Sequence, residues 1–158
     1  MTKIYDGVTI SPRTKIEGHE QSFIGTGAYI FTPLLKMAIG SHINARCIVA
    51  GRGSLTMGAY SVLGYDVLVL TSSDTAWGNM SDFCRDKERC IRTEDISIGP
   101  HAFVGSKSIL LPGAHVPEGA VLALKSVFGP DDKLEPWEIR YADGHRIKRE
   151  MKREVVPT

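Results

Sequence analysis

Ile98-Gly-Pro-His-Ala-Phe-Val104-Gly-Ser-Lys-Ser-Ile-Leu110-Leu-Pro-Gly-Ala-His-Val116-Pro-Glu-Gly-Ala-Val-Leu122 is the stretch that decides the fold. An aliphatic residue returns every six positions, at Ile98, Val104, Leu110, Val116 and Leu122. A small residue follows each of them four positions later, at Ala102, Ser108, Ala114, Ala120 and Ser126. A period of six fits neither the 3.6-residue stripe of a helix nor the two-residue alternation of a β-sandwich strand. It fits a triangular coil with three short sides, about eighteen residues per turn. The aliphatic residue then points into the prism and the small one fills the remaining space. Stacked turns pair their backbones at about 4.8 Å, and no coil buries its apolar face alone.

Working upstream, the same step runs more loosely. Ile39, Ala45, Gly51, Met57, Leu63 and Val69 take the aliphatic position, and Ile43, Val49, Leu55, Ser61, Val67 and Ser73 the second position. A shorter match sits at Ile24, Ala28 and Ile30, with a slip at Lys36. Gly25, Gly40, Gly58, Gly64, Gly99 and Gly105 each follow a repeat aliphatic, where a corner gains from glycine's conformational freedom. The register stops after Asp74 and restarts at Ile98, so the polar segment 75–97 reads as a protruding loop, of a length that is usually functional or disordered. Gly129-Pro-Asp-Asp-Lys133 ends the repeat, closing a β-helix domain at 1–130. The tail, 131–158, carries Ile147, Met151 and Val155 at helical spacing and predicts a short amphipathic helix capping the open end.

The whole chain has 158 residues, 42% hydrophobic and 23% charged, which bounds it to one ordinary globular domain with a small appendage. A net charge of +1 gives no reason to propose nucleic acid as a partner. No apolar run is long enough to cross a bilayer, and the N-terminus lacks the apolar core of a signal peptide, so a cytoplasmic protein with no membrane partner is expected. Three cysteines, Cys47, Cys84 and Cys90, with no Cys-x-x-Cys spacing argue against a disulfide framework or a zinc site.

The Ile98–Val121 stretch resembles the last full coils of the hexapeptide-repeat acetyltransferases, the galactoside and maltose type and the O-antigen or capsule type. Leu70-Thr-Ser-Ser-Asp74, a protruding loop and then Ile96-Ser-Ile-Gly99 resemble that family's acceptor-site loop, and Trp137 to Arg149 resembles its usual ending. The resemblance covers roughly residues 36–150. It implies a left-handed parallel β-helix, a homotrimer with active sites in the clefts between subunits, and acetyl-CoA as acyl donor. It places Gly105, Ser106, Ala123 and Lys125 beside the pantetheine arm, and Arg146 and Lys148 near the adenosine phosphates. The acceptor it implies is a sugar or nucleotide sugar in surface-polysaccharide metabolism, contacted by Ser72, Ser73 and Asn79, with Trp77 either stacked on a sugar face or plugging the subunit interface.

One departure bears on the chemistry. Many members carry a histidine just after the Thr-x-Ser stretch as general base. Here Thr71-Ser-Ser-Asp-Thr-Ala-Trp-Gly-Asn79 holds none, and the next histidine is His101. Asp74 is the polar group left at that place, either a proton acceptor or a turn residue; His101 and His115 are either surface residues or bases. An aspartate is a poor base for a hydroxyl but can orient an amine, so the residues lend support to an amino sugar, whereas the resemblance favours a hydroxyl; O-acetyl transfer is the expectation, with amino-sugar N-acetylation as the alternative. A non-catalytic trimeric scaffold is the competing reading. A metal-dependent hydratase on the same prism needs three converging histidines, and the spacing of His19, His42, His101 and His115 supplies no evident set, so no metal is expected.

Overall fold

A computed structural model describes residues 1–74 and 91–150, with Asp74 described by its backbone alone. Short parallel strands wind into three faces. The first face stacks Lys3–Ile4, Phe23–Ile24, His42–Ile43, Val62–Leu63, Phe103–Val104, Val121–Leu122 and Glu138–Arg140 in that order. The second stacks Thr9–Ile10, Tyr29–Phe31, Ile48–Ala50, Leu68–Leu70, Ile109–Leu110 and Val127–Phe128. The third stacks Lys15–Glu17, Leu34–Met37, Leu55–Met57, Ile96–Ile98 and His115–Val116. Each strand bonds to its counterpart one coil away, so the fold is a parallel β-helix.

The aliphatic positions are the core. Ile98, Val104, Leu110, Val116 and Leu122 are all buried, with Ala102, Ser108, Ala114, Ala120 and Ser126 beside them as the period requires. Upstream, the expected register is partly wrong. Ile39, Ala45 and Gly51 are only half-buried corner residues, and Ile43, Val49 and Leu55 take the inward aliphatic role instead. The cause is the third face, where Leu34–Met37, Leu55–Met57 and Ile96–Ile98 each turn two residues inward: Leu35 with Met37, Leu55 with Met57, and Ile96 with Ile98. Coils containing such a strand are longer than eighteen residues, and the six-residue count slips there. Ile96 also shows that the prism resumes two residues earlier than Ile98.

The glycines after repeat aliphatics have a different cause from the one expected. Of the six, only Gly40 has a positive φ, +69°. A Cβ on Gly25, Gly58, Gly64, Gly99 or Gly105 would instead strike the backbone of the next coil at 2.5–2.8 Å. Close approach of coil to coil excludes the side chain. The left-handed corner positions are filled largely by other residues. One edge carries Gly40, Tyr60, His101, Gly119 and Trp137, and the next carries Gly7, Gly27, Arg46, Asp66, Lys107 and Lys125, all at φ between +56° and +74°.

No helix occurs among the described residues, so the part of the expected C-terminal helix that falls before residue 151 is not formed. Glu138–Arg140 adds a parallel strand to the first face, and Arg146–Lys148 pairs back antiparallel on it. The Asp143-Gly144 turn, with Gly144 at φ +93°, closes this hairpin, with Ile139 opposite Ile147. A 3.6-residue reading of Ile147, Met151 and Val155 overlooked that turn signal; Met151 and Val155 lie outside the described residues. Arg149 clamps the hairpin to the prism: its Nη1 donates to the carbonyl oxygens of Gly119 (2.9 Å) and His101 (3.2 Å), and its guanidinium lies 5.8 Å from the Trp137 ring centre. The C-terminal end of the core is plugged by Phe128, 1% exposed, with the Arg140 guanidinium over its ring. At the other end Ile4 remains 48% exposed.

Candidate functional site

The corner between the first and second faces forms a groove of about 600 Å³ running across two coils. Gly105, Ser106, Ala123 and Lys125, the four residues expected beside a pantetheine arm, all line it, together with Phe103, Lys107 and Leu124. The backbone here is drawn tight: Gly105 N donates to Leu122 O at 2.7 Å and Lys125 N to Ser106 O at 3.0 Å. Ser106 Oγ accepts from Tyr65 N at 3.0 Å, which fixes its rotamer against the coil above. The left-handed conformations of Lys107 (φ +61°) and Lys125 (φ +58°) set these two side chains one above the other at the rim.

Electrostatics along this edge change sign of purpose halfway down. Arg46 and Asp66 pair at 2.9 Å, and the hydrogen bond from Arg46 holds the Asp66 carboxyl below its ordinary range. That pair cancels. Lys107 and Lys125 form no ion pair among the described residues, so the groove end of the edge presents net positive charge. Sequence reasoning missed Lys107 and Phe103. The six-residue step from Gly105 to Leu111 and the matching step from Ala123 place Lys107 directly above Lys125, and that was the available signal.

Arg146 and Lys148 sit on the terminal hairpin strand, not on a helix. Arg146 pairs with Arg140, which pairs with Leu122, so Arg146 stands two strand spacings, about 10 Å, from the groove floor. Its Nη1 is bonded to Glu138 Oε1 at 3.2 Å. Lys148 is exposed opposite Glu138, further along the same strand.

Ser72 and Ser73 lie at another corner, after the second face. Ser72–Asp74 pairs antiparallel with Ile91–Thr93, forming the stem from which the intervening segment leaves the prism. Thr71 is buried; its Oγ1 accepts from Gly53 N (3.1 Å) and donates to Ala50 O (3.2 Å). Ser72 Oγ accepts from Arg52 N at 3.1 Å. Asp74 stands opposite Ile91 in the stem. Trp77 and Asn79, like Cys84 and Cys90, lie outside the described residues. Within one chain the groove and the Ser72–Ser73 corner are separated by the width of the second face, roughly 15–20 Å.

The histidines are dispersed. His101 occupies a left-handed corner (φ +58°) and stacks between Tyr60 (5.5 Å) and Trp137 (6.3 Å), at the far end of the first face from Gly105. His115 Nδ1 is hydrogen-bonded to Ser97 Oγ at 2.6 Å on the polar outer side of the third face, a pairing that sequence reasoning did not anticipate. His42 stacks on Phe23 at 4.1 Å, and burial lowers its pKa. Among the described residues no histidine is hydrogen-bonded to Ser72 or Ser73 within the chain. Among the described residues no group of three or more His, Cys, Asp or Glu could hold a metal ion.

No protein-family model matches the chain, and no curated protein does. Solved structures do resemble it. AntD, an N-acyltransferase from Bacillus cereus, is similar at TM-score 0.63 as a variant in complex with dTDP and coenzyme A, 21% identical over 97% of this chain and 86% of that one. In complex with dTDP and 3-hydroxybutyryl-CoA it is similar at TM-score 0.62, 20% identical over 96% and 85%. A Bacillus cereus protein described as a putative acetyltransferase is similar at TM-score 0.55, 16% identical over 96% and 79%. Likeness at this identity establishes the shared fold.

Proposed function

We propose that the chain transfers an acyl group, acetyl in the first instance, from acyl-CoA to a sugar carried on a nucleotide. The observation that carries this reading is the groove at Gly105, with stacked backbone on its floor and Lys107 and Lys125 at its rim. Pantetheine is an extended chain of amides that lies well along such backbone, and its adenosine phosphates find two cations at one end. The resemblance to AntD, an N-acyltransferase solved with coenzyme A and dTDP, supports the same donor and a nucleotide-linked acceptor.

An amine is favoured over a hydroxyl as the acceptor. A hydroxyl needs a base in the transition state, and within one chain no described histidine is hydrogen-bonded to Ser72 or Ser73. A neutral amine attacks the thioester carbonyl directly, the carbon–sulfur bond breaks, CoA leaves as thiolate, and the new amide nitrogen gives up a proton. Asp74 is the candidate to orient the amine and receive that proton late. O-acetylation of a polysaccharide precursor in the cytoplasm, the expectation from sequence resemblance, is the second reading.

The working unit in this reading is a homotrimer. Donor groove and acceptor corner stand roughly 15–20 Å apart on one chain, so a second copy is needed to bring them together. The outer side of the second face supports this, with Tyr29, Ile48 and Val127 each more than 40% exposed and in register with Leu68 and Ile109. The test is thiol release from acetyl-CoA in the presence of hydroxyl and amino sugars and their nucleotides, for the wild type and Asp74→Asn. Turnover is expected with a sugar nucleotide, reduced roughly 10²–10⁴-fold in the variant. No turnover with any acceptor and no CoA binding at millimolar concentration would support the scaffold instead.

A further inference from the structure

A second pocket, of about 340 Å³, lies at the corner between the second and third faces in the N-terminal coils. Its lining includes Arg13, Phe31, Pro33, Gly51 and Arg52. Three successive coils contribute: Arg13 from the first, Phe31 from the second and Arg52 from the third. Adjacent coils are about 4.8 Å apart, which puts the two arginine backbones roughly 10 Å from each other across the pocket.

Its chemistry is specific. Phe31 is the aromatic wall of the pocket, and Tyr29, outside it, stacks on Phe31 with ring centres 4.0 Å apart and planes within 11°, which braces the ring. Among the described residues neither Arg13 nor Arg52 forms an ion pair, although most other arginines there do. Two guanidiniums facing one cavity without a carboxylate select a ligand with closely spaced anionic oxygens, which they bind in bidentate fashion. An aromatic wall beside them suits a planar base, with Arg13 and Arg52 on the diphosphate. The volume falls in the range of small-ligand pockets.

Position supplies the second argument. Gly51 touches the coil that carries the acceptor stretch so closely that a Cβ there would lie 2.4 Å from Ser72 N and 2.9 Å from Ser72 Oγ. Arg52 N is itself bonded to Ser72 Oγ. The floor of the pocket is therefore continuous with Ser72, the neighbour of Ser73 in the chain. We infer that this pocket binds the nucleoside diphosphate part of the acceptor, with the base against Phe31 and the diphosphate between Arg13 and Arg52. The sugar is then directed toward Ser72 and Ser73. This rests on the acyl-transfer reading for the identity of the sugar site, but the nucleotide pocket itself is tested without turnover.

Calorimetric titrations of the full chain with UDP, dTDP and ADP, with uridine and inorganic pyrophosphate as partial ligands, and with CoA in parallel, provide the test. At least one diphosphate is expected to bind more tightly than either partial ligand. Arg13→Ala with Arg52→Ala is expected to weaken it about 10- to 100-fold, with CoA affinity within twofold. Both side chains are exposed, and Arg13→Lys with Arg52→Lys, which preserves charge and fold, is expected to lose a smaller part through the bidentate geometry. Diphosphate binding that ignores both double variants overturns the inference. CoA binding without any diphosphate binding overturns it while leaving acyl transfer standing. If neither ligand binds, the inference and the proposed function both fall.

Discussion

Gly105→Ala tests both the coil-packing account and the proposed donor role of the groove. A Cβ at Gly105 would sit 2.5 Å from Leu124 N, 2.7 Å from Ala123 C and 2.7 Å from Leu122 O. All three are backbone atoms, so no side chain can turn aside. Comfortable contact needs about 3.5 Å, so the two coils must separate locally by nearly 1 Å against a spacing of about 4.8 Å. Overpacking of this kind costs about 1–3 kcal/mol. The Gly105 N to Leu122 O bond, 2.7 Å long, is stretched in the process, adding about 0.5–1.5 kcal/mol. A total of roughly 2–4 kcal/mol lowers the melting temperature by about 5–15 °C in a domain of this size. Gly129→Ala is the control, since its nearest neighbour would be at 3.5 Å, an ordinary contact; less than about 0.5 kcal/mol is expected there. Urea unfolding of the two variants beside wild type gives both numbers, and calorimetry gives CoA affinity, expected to fall with Gly105→Ala alone. Equal stability of the two variants would refute the close-approach explanation for these glycines.

Lys107→Ala with Lys125→Ala is expected to raise the KM for acetyl-CoA at least tenfold with little change in kcat, and the gap to wild type should narrow in high salt, read from steady-state kinetics. His101→Ala is expected to leave kcat within a few-fold, because its ring stacks between Tyr60 and Trp137 away from the groove; a hundredfold loss would make it the base. Arg149→Ala removes bonds to two carbonyls and should raise hydrogen exchange in Glu138–Arg140 and Arg146–Lys148 while leaving the central coils protected. Cys47 is fully buried with Sγ donating to Gly64 O, and desolvation pushes its pKa from 9.0 up to about 11. The unfolded thiol ionises first, so the neutral thiol's contribution is intact below pH 9 and is lost as pH rises to 11. Wild type should lose about 2–3 kcal/mol across that window relative to Cys47→Ala, by urea unfolding at each pH.

The six-residue period was legible after Ile98 because those coils hold one inward aliphatic per side. Upstream it blurred where Leu35 with Met37, and Leu55 with Met57, turned two residues inward and lengthened the coil. The groove at Gly105 was legible as geometry for the same reason the fold was: Gly105 and Ala123 are one eighteen-residue turn apart. The terminal hairpin was not, because an apolar spacing of four at the chain end outweighed an Asp-Gly turn that only pairing with the first face makes decisive. The arginine pocket was hidden by the register slip itself. An inward position for Gly51, which the six-residue count implies, gives no reason to bring Arg52 beside Arg13.

Seven residues with side chains, Arg46, Tyr60, Asp66, His101, Lys107, Lys125 and Trp137, occupy backbone that glycine would adopt without strain. Each costs on the order of 1 kcal/mol. Because they point outward from turns whose interior is already filled, their identity is decoupled from the core. The prism thus behaves as a graduated ruler, its two edges offering mounting points at a fixed pitch of about 4.8 Å. New ligand chemistry can be installed on those edges one graduation at a time, by exchanging single residues and leaving every buried contact as it was.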